Sequence, residues 1–548
     1  MLPINALQIN SKYCFFICSQ YFSNIGETIR NQTKVYFCCL SKEYVKNAIG
    51  QLYDRLRTAI VSVGHDPLTG VLLLFGLFQL VGITDPPLEM AHSWRQSFTA
   101  MITRNYWEGG VDWLHPRIDM AGEKSGIVGA EFPIFNFLSW VLCRIFGYQH
   151  WYGRCVNLTV VLIGTYHFYY LLRNRFSENV SLFSVIILLC SSWFTFSRKI
   201  MPDTFSVSLV LVGLRYGFDF WHTGRWVTWL WATLSIALGI LSKIPAMSLL
   251  AVVGLLLFVK VDNKRRVVWV ILGMVTSLLP AMWWYFSWVP YLNSTYGYHL
   301  YFPKGLLEGW HEIRPLWRLL LEKFYFTSYY SFLALLLGIA GIWAIIRRKL
   351  KFEAIALASI AFVFGVFILK TGAVFPQHTY YSIPFIPIMA LLSGLGLDYL
   401  NDQFSGLGKQ AKSPKSLVFG LLLLVVIEAM ANQIHDHFIK PSERYKQTLE
   451  TEIASVIPMD AKVVFVSSAS PQELFLLHRK GWTVYPEQMK NDRDVSAYRD
   501  LGGSFVVINK SVLRNFSAKD SVLLALQCAD RFYESSHYSV YRLNKPLL

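Results

Sequence analysis

Long apolar runs alternate with short polar segments over most of this chain. The runs are 15 to 22 residues long, and they lie near residues 67–84, 132–147, 153–172, 179–196, 204–220, 226–242, 245–259, 267–288, 328–346, 353–369, 380–398 and 416–432. A helix of about 20 apolar residues can cross the hydrocarbon core of a membrane. The pattern therefore predicts a polytopic α-helical membrane protein whose transmembrane domain covers residues 67–432.

The two ends of the chain have a different pattern. Residues 433–548 alternate short strands and helices, with strands predicted at 462–467, 483–485, 504–508 and 538–543 and helices at 471–480, 495–500 and 518–526. This segment has no glycine-rich phosphate loop and no catalytic triad, so we expect a small α/β accessory domain. Residues 1–66 lack a signal-peptide pattern, and we expect either a mis-called start codon or a cytoplasmic N-terminal extension.

The composition excludes a soluble protein. Hydrophobic residues make up 54% of the chain and charged residues 16%, and the mean hydropathy is +0.37. The net charge of +16 comes largely from Lys and Arg in loops between apolar runs, where they set membrane orientation. We therefore expect membrane lipids, and no nucleic acid, among the partners. The eight cysteines are scattered without paired histidines, so neither a disulfide framework nor a zinc site is indicated.

Positive charges also predict which runs cross the membrane. Basic residues before the first run place the N-terminus in the cytoplasm and the following loop outside. If every run crossed, four basic loops would lie outside, against this rule: 173–175, 264–266, 347–351 and 409–415. They become cytoplasmic if the short run 132–147 lies on the outer surface as an amphipathic or re-entrant helix. We predict about eleven transmembrane helices, a first outer loop (85–147) that ends in this juxtamembrane helix, and an outer C-terminal domain.

The polar part of the first outer loop, residues 85–131, concentrates acids, His, Arg and Trp. Long loops of this kind usually carry function. Glu89, His92 and Arg95 are spaced by three, which would place them on one face of a helix. Glu131 directly precedes the juxtamembrane helix, so capping that helix is the alternative to a role in the site.

In this topology the turn Ser197–Asp203 (SRKIMPD) lies on the same outer side. Arg198 and Lys199 run against the charge bias there, which suggests that they are kept for binding an anion. Asp203 opens the next apolar run, and helix capping is again the alternative.

Lys243, in the turn LSKIP, and the segment 370–381 are predicted on the same side. For Lys243 the alternative is a side chain that snorkels to the interface. His299 and His378 are either functional or ordinary polar contacts. The aromatic residues between 283 and 301 are either an interfacial belt or a platform for a sugar.

The order of several segments resembles the GT-C glycosyltransferases of family 39. These segments are HSWRQSFTAMITRNY, HPRIDMAGEKSG, EFPIFNFL, GYQHWYGR, SRKIMPDTFS and LSKIPA. The family includes protein O-mannosyltransferases and lipid A aminoarabinose transferases, and the resemblance, which points to a bacterial branch, covers roughly residues 67–400. It implies the GT-C fold and an inverting transfer of a sugar from a polyprenyl-phosphate donor to a hydroxyl of a lipid, glycan or protein acceptor. It also implies a bacterial inner (plasma) membrane protein with an extracytoplasmic active site.

The resemblance also implies roles for individual residues. In the family a carboxylate of the first outer loop, frequently in an Asp-Glu pair, accepts the proton of the acceptor hydroxyl. This chain has no such pair there, and the matching region holds Glu89 and His92 as candidates for the base. Asp203 matches the second acidic motif and completes the candidate catalytic set.

Glu131 matches the glutamate of an E-x-P motif that contacts donor or metal. His299 is a candidate second metal ligand, and because metal dependence varies across the class a divalent metal ion is left open; no other cofactor is expected. Cations must stabilise the departing phosphate. The candidate substrate-binding residues are Arg95, Glu131, Arg198, Lys199, Lys243, His378 and Tyr381.

Two other functions fit the same hydropathy. A flippase or transporter for lipid-linked glycans needs a hydrophilic path within the spans, whereas acids within these runs are few, Glu428 among them. An O-antigen-type polymerase would depend on Arg-rich outer loops rather than on acids.

Overall fold

The structure is a computed structural model that describes residues 66–256, 264–298, 303–406, 414–517, 519–527 and 529–543. Residues 1–65, which hold nearly all of the predicted N-terminal extension, lie outside the described part. The chain divides into two units, Met1–Gly70 and Val71–Leu548. Of the first unit the structure describes only residues 66–70, where the first helix begins.

The N-terminal half of the described chain is helical. Its α-helices are α1 Pro67–Gln79, α2 Ser93–Gly109, α3 Ile134–Phe146, α4 Tyr152–Arg173, α5 Glu178–Cys190, α6 Ser192–Phe196, α7 Pro202–Thr223, α8 Trp226–Ser242, α9 Ala251–Leu256, α10 Lys264–Trp283 and α11 Val289–Tyr296. A 3-10 helix, Ile244–Leu250, precedes α9, and a π-helix, Trp284–Trp288, joins α10 to α11.

Helices continue through the remainder of the predicted transmembrane domain. They are α12 Leu306–Ile313, α13 Trp317–Glu322, α14 Phe332–Arg347, α15 Lys351–Thr371, α16 Val374–Gln377, α17 Ile386–Gly406 and α18 Pro414–Gln433. Shorter 3-10 segments are Arg314–Leu316, Thr379–Phe385, Ile434–His437 and Pro441–Thr448, and a second π-helix is Lys323–Thr327.

Within the described residues, five helical segments are long and apolar enough to cross a membrane. They are Tyr152–Arg173, Lys264–Tyr296, Lys351–Thr371, Thr379–Ser405 and Ser416–His437. The bent pair Leu306–Thr327 and Phe332–Arg347 would add a sixth if it is one span, and five further apolar helices have 10–17 residues. The protein is therefore a helical membrane protein, while the count of eleven spans stays a prediction.

The predicted juxtamembrane segment forms α3. Its 13 residues correspond to about 20 Å at 1.5 Å per residue, which is shorter than a hydrocarbon core of about 30 Å. The polar loop before it is not irregular throughout, because α2 occupies residues 93–109 within it.

The helices place two groups of loops at opposite ends of the bundle. At one end, Arg175 pairs with Glu353 at 2.6 Å, and Arg348 pairs with Asp398 at 2.9 Å. At the other end, the starts of α2 and α7, the turn at Lys243 and the segment around Tyr380 come together. The basic loops and the candidate functional residues thus lie at opposite ends of the bundle.

The C-terminal domain contains a mixed five-stranded sheet of order β2-β1-β3-β5-β4. Its strands are β1 Lys462–Val466, β2 Lys480–Val484, β3 Phe505–Asn509, β4 Asp530–Glu534 and β5 Tyr538–Arg542. β1 pairs in parallel with β2 and β3, and β5 runs antiparallel to β3 and β4. The helices of this region are α19 Leu449–Ile453, α20 Gln472–Leu477, α21 Asp492–Asp500, α22 Lys510–Arg514 and α23 Lys519–Ala525, with a 3-10 turn at Pro486–Gln488.

The sheet confirms the predicted small α/β domain and corrects some of its elements. The helix predicted to reach residue 480 ends at Leu477, and β2 begins at Lys480 rather than at residue 483. β4 was not predicted, because it is an edge strand whose residues are mostly exposed and therefore lack the alternation of a half-buried strand.

Candidate functional site

The chain changes direction sharply before α2. Ala91 and His92 both have φ of 61°, in the left-handed region that L residues seldom adopt. The helix starts only at Ser93, so Glu89 and His92 lie outside it while Arg95 lies within it. The single helical face predicted for these three residues is therefore wrong, and their side chains take part in different groups of contacts.

Glu89 lies at the centre of a fully buried group, which we call the Glu89 cluster: Glu89, Arg154, Arg198 and Lys199. The carboxylate pairs with Arg198, with Lys199 Nζ at 2.8 Å and with Arg154 Nη2 at 3.2 Å, and none of these side chains is exposed. Arg198 and Lys199 therefore contact a carboxylate rather than an open surface. Arg154 lies in the segment GYQHWYGR, but no single feature of the sequence distinguished it as a candidate site residue.

The cations of the Glu89 cluster also hold backbone carbonyls from separate parts of the chain. Arg154 donates to Ile83 O at 2.9 Å, Lys199 to Asp436 O at 2.8 Å and Arg198 to His437 O at 2.8 Å. Glu89 itself forms an isolated antiparallel bridge with Ile439. The cluster thus connects the first outer loop, α4 and the end of α18.

Electrostatics within the cluster favour the ionised carboxylate. Burial acts to raise the pKa of Glu89, but Arg154, Lys199 and Arg198 outweigh it and lower that pKa to about 2. Burial also lowers the pKa of Lys199 to about 8, although Glu89 opposes this shift. A carboxylate held this firmly is a poor proton acceptor, since its conjugate acid is strongly disfavoured.

A second group, which we call the Asp203 cluster, contains Arg95, Glu131, Asp203 and Lys243. Arg95 and Lys243 Nζ both donate to Glu131, the latter at 2.7 Å, and Lys243 Nζ lies 3.3 Å from Asp203 Oδ1. Burial acts to raise the pKa of Glu131, but Arg95 and Lys243 outweigh it and hold that pKa well below its usual range. Four residues far apart in sequence thus form an electrically balanced group of two cations and two carboxylates.

Neither carboxylate of this cluster caps a helix. α3 has Pro133 at its N-cap and α7 has Met201, and no side chain caps either helix. Asp203 is the second helical residue after Pro202, and it is 4% exposed. Lys243 does not snorkel into solvent but bridges the two acids.

The Asp203 carboxylate is only half satisfied. Its Oδ2 atom is buried and has no hydrogen-bond partner among the described residues. The residue borders a narrow recess whose lining includes Asp203, Ser206, Lys243, Phe367, Tyr380 and Tyr381. A buried acceptor without a donor is costly unless a ligand or water satisfies it.

Aromatic and imidazole rings form one side of this region. The His92 ring lies 4.6 Å from the ring of Tyr380 and 5.4 Å from that of His378. His92 Nε2 is 3.1 Å from Thr379 Oγ1, and Lys243 Nζ lies 5.3 Å above the Tyr380 ring. Burial first, then His378 and nearby lysines, lower the pKa of His92 to about 3, so its ring is neutral at pH 7.

The aromatic π-helix after α10 forms hydrogen bonds with the first outer loop. Trp284 Nε1 donates to Ala130 O at 2.9 Å, next to Glu131, and Trp288 Nε1 donates to Leu114 O at 2.8 Å. These two indoles therefore position the backbone that carries Glu131.

This arrangement of side chains does not favour a metal ion bound to Glu131. No group of three or more His, Cys, Asp and Glu side chains in the described part of the chain could hold a metal ion. Both oxygens of Glu131 contact cations instead. His299 lies outside the described residues, so its predicted role as a ligand stays a prediction.

Comparison with protein families gives one match. A family model described as dolichyl-phosphate-mannose-protein mannosyltransferase matches residues 130–286, a stretch that contains Glu131, Asp203 and Lys243. No curated protein sequence matches the chain significantly.

Solved structures match over most of the chain. ArnT from Cupriavidus metallidurans in the apo state has a TM-score of 0.59 at 16% identity, covering 87% of this chain and 98% of that chain. The same protein bound to undecaprenyl phosphate has a TM-score of 0.54 at 15% identity, with 86% and 98% covered. The Archaeoglobus fulgidus oligosaccharyltransferase in the apo form has a TM-score of 0.54 at 13% identity, with 89% and 75% covered. These similarities confirm the expected GT-C fold.

Proposed function

We propose that this chain is an inverting glycosyltransferase that moves a sugar from a polyprenyl-phosphate donor to an acceptor hydroxyl. The observation that carries the proposal is Asp203 Oδ2, which lies beside the recess and has no hydrogen-bond partner within the described ranges. The family match includes this residue and two of the three that surround it. The fold is shared with a protein solved with undecaprenyl phosphate bound, which supports a lipid-linked phosphate donor for this chain.

Asp203 is our candidate for the general base. Its Oδ2 accepts the proton of the acceptor hydroxyl while that oxygen attacks the anomeric carbon. The new glycosidic bond forms as the bond from the anomeric carbon to the phosphate oxygen breaks, and the electron pair leaves with the polyprenyl phosphate. A single displacement of this kind inverts the configuration of the anomeric carbon.

The other members of the two clusters position this group. Lys243 holds Asp203 Oδ1 and Glu131 together, and Glu131 in turn fixes Arg95. His92 and Tyr381 border the same region and are proposed to contact the substrate. Glu89, which the sequence made a candidate base, is proposed instead to hold the first outer loop in place, because three cations already engage it.

We place the protein in a bacterial inner (plasma) membrane with the Asp203 end extracytoplasmic. The support is the distribution of charge: the basic loops 173–175, 264–266 and 347–351 lie at the opposite end of the helices from Asp203, where the positive-inside rule puts the cytoplasm.

The test compares membrane glycolipids, cell-surface glycans and proteins by mass spectrometry in a deletion strain and in complemented strains. Asp203→Asn should lower the transfer rate by about 10²- to 10⁴-fold, because it removes the proton acceptor. Asp219→Asn is the matched control, since Asp219 lies on the same helix, pairs with Arg215 and is partly exposed. Loss of one sugar from one acceptor, with accumulation of its polyprenyl-phosphate donor, is the expected result.

Full rescue by Asp203→Asn would overturn the proposal. Loss of a whole surface glycan with accumulation of its complete lipid-linked precursor would favour the transporter, whereas loss of polymer length with retention of the first sugar would favour the polymerase.

A further inference from the structure

The cations that the sequence assigned to the donor phosphate are already paired. Arg198 and Lys199 are engaged by Glu89, Arg95 by Glu131, and Lys243 by Glu131 and Asp203. A departing phosphate needs a positive charge that is not fully neutralised by the protein. The site as predicted from sequence therefore lacks an uncommitted cation.

Lys323 supplies a cation of this kind. Only 9% of the residue is exposed, yet within the described ranges its ammonium has neither an ion pair nor a hydrogen bond. Its backbone carbonyl, in contrast, accepts from Ser328 N at 2.9 Å. The ammonium nitrogen itself is not fully buried, so it is open to a ligand while most of the side chain is enclosed, and lysines enclosed to this degree are usually paired.

The surroundings place Lys323 beside the candidate site. It opens the π-helix Lys323–Thr327, and this segment packs against Thr379–Phe385, which carries Tyr380 and Tyr381. The Lys323 charge acts electrostatically on both His92 and His378. π-helical turns are uncommon and frequently occur at functional sites.

His378 adds a second unsatisfied group to the same region. Its Nδ1 is buried without a hydrogen-bond partner among the described residues, and its ring lies 5.4 Å from that of His92. An ammonium and a free imidazole nitrogen are both potential donors to an anion.

We propose that Lys323, with His378, binds the phosphate of the polyprenyl-phosphate donor and stabilises it as it leaves. This inference rests on the proposed function, whose acid–base group is Asp203, and it adds a residue that no sequence motif marked. Without ligand, Lys323 has no ion pair among the described residues. With ligand, the phosphate supplies the missing counter-charge.

The experiment measures binding of a polyprenyl monophosphate and of the uncharged polyprenol to full-length protein in lipid nanodiscs. We expect the wild type to prefer the phosphate, Lys323→Met to lose roughly tenfold or more of that preference, and Lys323→Arg to keep most of it. Lys351→Met is the control, because Lys351 is exposed at the opposite end of the bundle, and it should bind as the wild type does.

A thermal melt of the same samples without ligand separates this role from a structural one. Lys323→Met should melt at the same or a higher temperature than the wild type, because it removes no ion pair among the described residues and places an apolar side chain in a largely enclosed position. A folded Lys323→Met protein that keeps the full preference would overturn the inference and leave the proposed function intact. The inference also fails if Lys323→Arg loses as much as Lys323→Met, because the residue would then be a packing element. If the wild type bound both lipids equally, the proposed polyprenyl-phosphate donor would be wrong, and with it the proposed function.

Discussion

The two most deeply buried carboxylates of the candidate site differ in what surrounds them. In the part of the chain that the structure describes, Glu89 is contacted by three cations, whereas Asp203 is contacted by one and keeps an oxygen without a partner. The first arrangement stabilises the ionised form and holds chain segments together. The second leaves an acceptor free for a substrate proton.

This difference predicts a stability effect at Glu89. Glu89→Gln leaves three buried cations without a counter-charge, which should lower the free energy of unfolding by about 3–5 kcal/mol at pH 7. Because the pKa of Glu89 is lowered to about 2, from an ordinary value of 4.5, its stabilisation is complete above about pH 4.5 and declines as the pH falls towards 2. The melting temperatures of detergent-solubilised wild type and Glu89→Gln should therefore converge as the pH falls towards 2.

The control for this comparison is Glu353→Gln. Glu353 is 11% exposed, but its partner Arg175 is 54% exposed and solvated, and pairs that solvent reaches contribute about 0–1 kcal/mol. If Glu89→Gln melted like this control at pH 7, the Glu89 cluster would have no structural role, and Glu89 would return as a candidate base.

At the scale of elements, α2 and the loop after it attach the C-terminal domain to the helical bundle. Arg104 pairs with Asp119 and donates to Phe475 O at 2.6 Å. Gly122 N donates to Gly481 O at 2.8 Å, beside the start of β2. The loop that carries the candidate site therefore also carries the domain.

Gly122 is the critical position of this contact. Its φ is +62°, and a Cβ there would lie 2.2 Å from Trp482 Nε1. Gly122→Ala should destabilise the docked domain by about 1–3 kcal/mol, and limited proteolysis should then cut faster in the segment Pro441–Thr448. Gly109→Ala is the control, because nothing lies within 4 Å of a Cβ at that position. Equal cleavage of both variants would show that this contact does not hold the domain.

For the whole molecule, the docked domain limits the number of spans. Trp94 Nε1 donates to Ala469 O at 2.9 Å, so the first outer loop and the C-terminal domain lie on one side of the membrane. The chain between them must then cross an even number of times, and the total must be odd. Eleven spans satisfy this condition, whereas twelve, with α3 also crossing, do not.

Single cysteines in a cysteine-free background test this topology. Positions Ser125, Asn174 and Ser536 are exposed, and a membrane-impermeant thiol reagent applied to intact cells should label the first and third but not the second. Labelling at Asn174 together with protection at Ser536 would show that α3 crosses the membrane. The proposed common side for Asp203 and the first outer loop would then be wrong.

The sequence by itself determined the class of protein and the small C-terminal sheet, because long apolar runs and short strand patterns are local signals. The GT-C fold was implied by the resemblance of several segments to a known family. The sequence also made Glu131, Asp203 and Lys243 candidate site residues, because each is a charged residue directly beside an apolar run. Only the tertiary structure decided how these residues are paired. The left-handed residues before α2 separate Glu89 from Arg95. Arg154 from α4 and Lys199 from the turn before α7 contact Glu89, and Lys323 has no ion pair within the described part of the chain. Ion pairing depends on distances between residues far apart in the chain, and no local pattern encodes those distances.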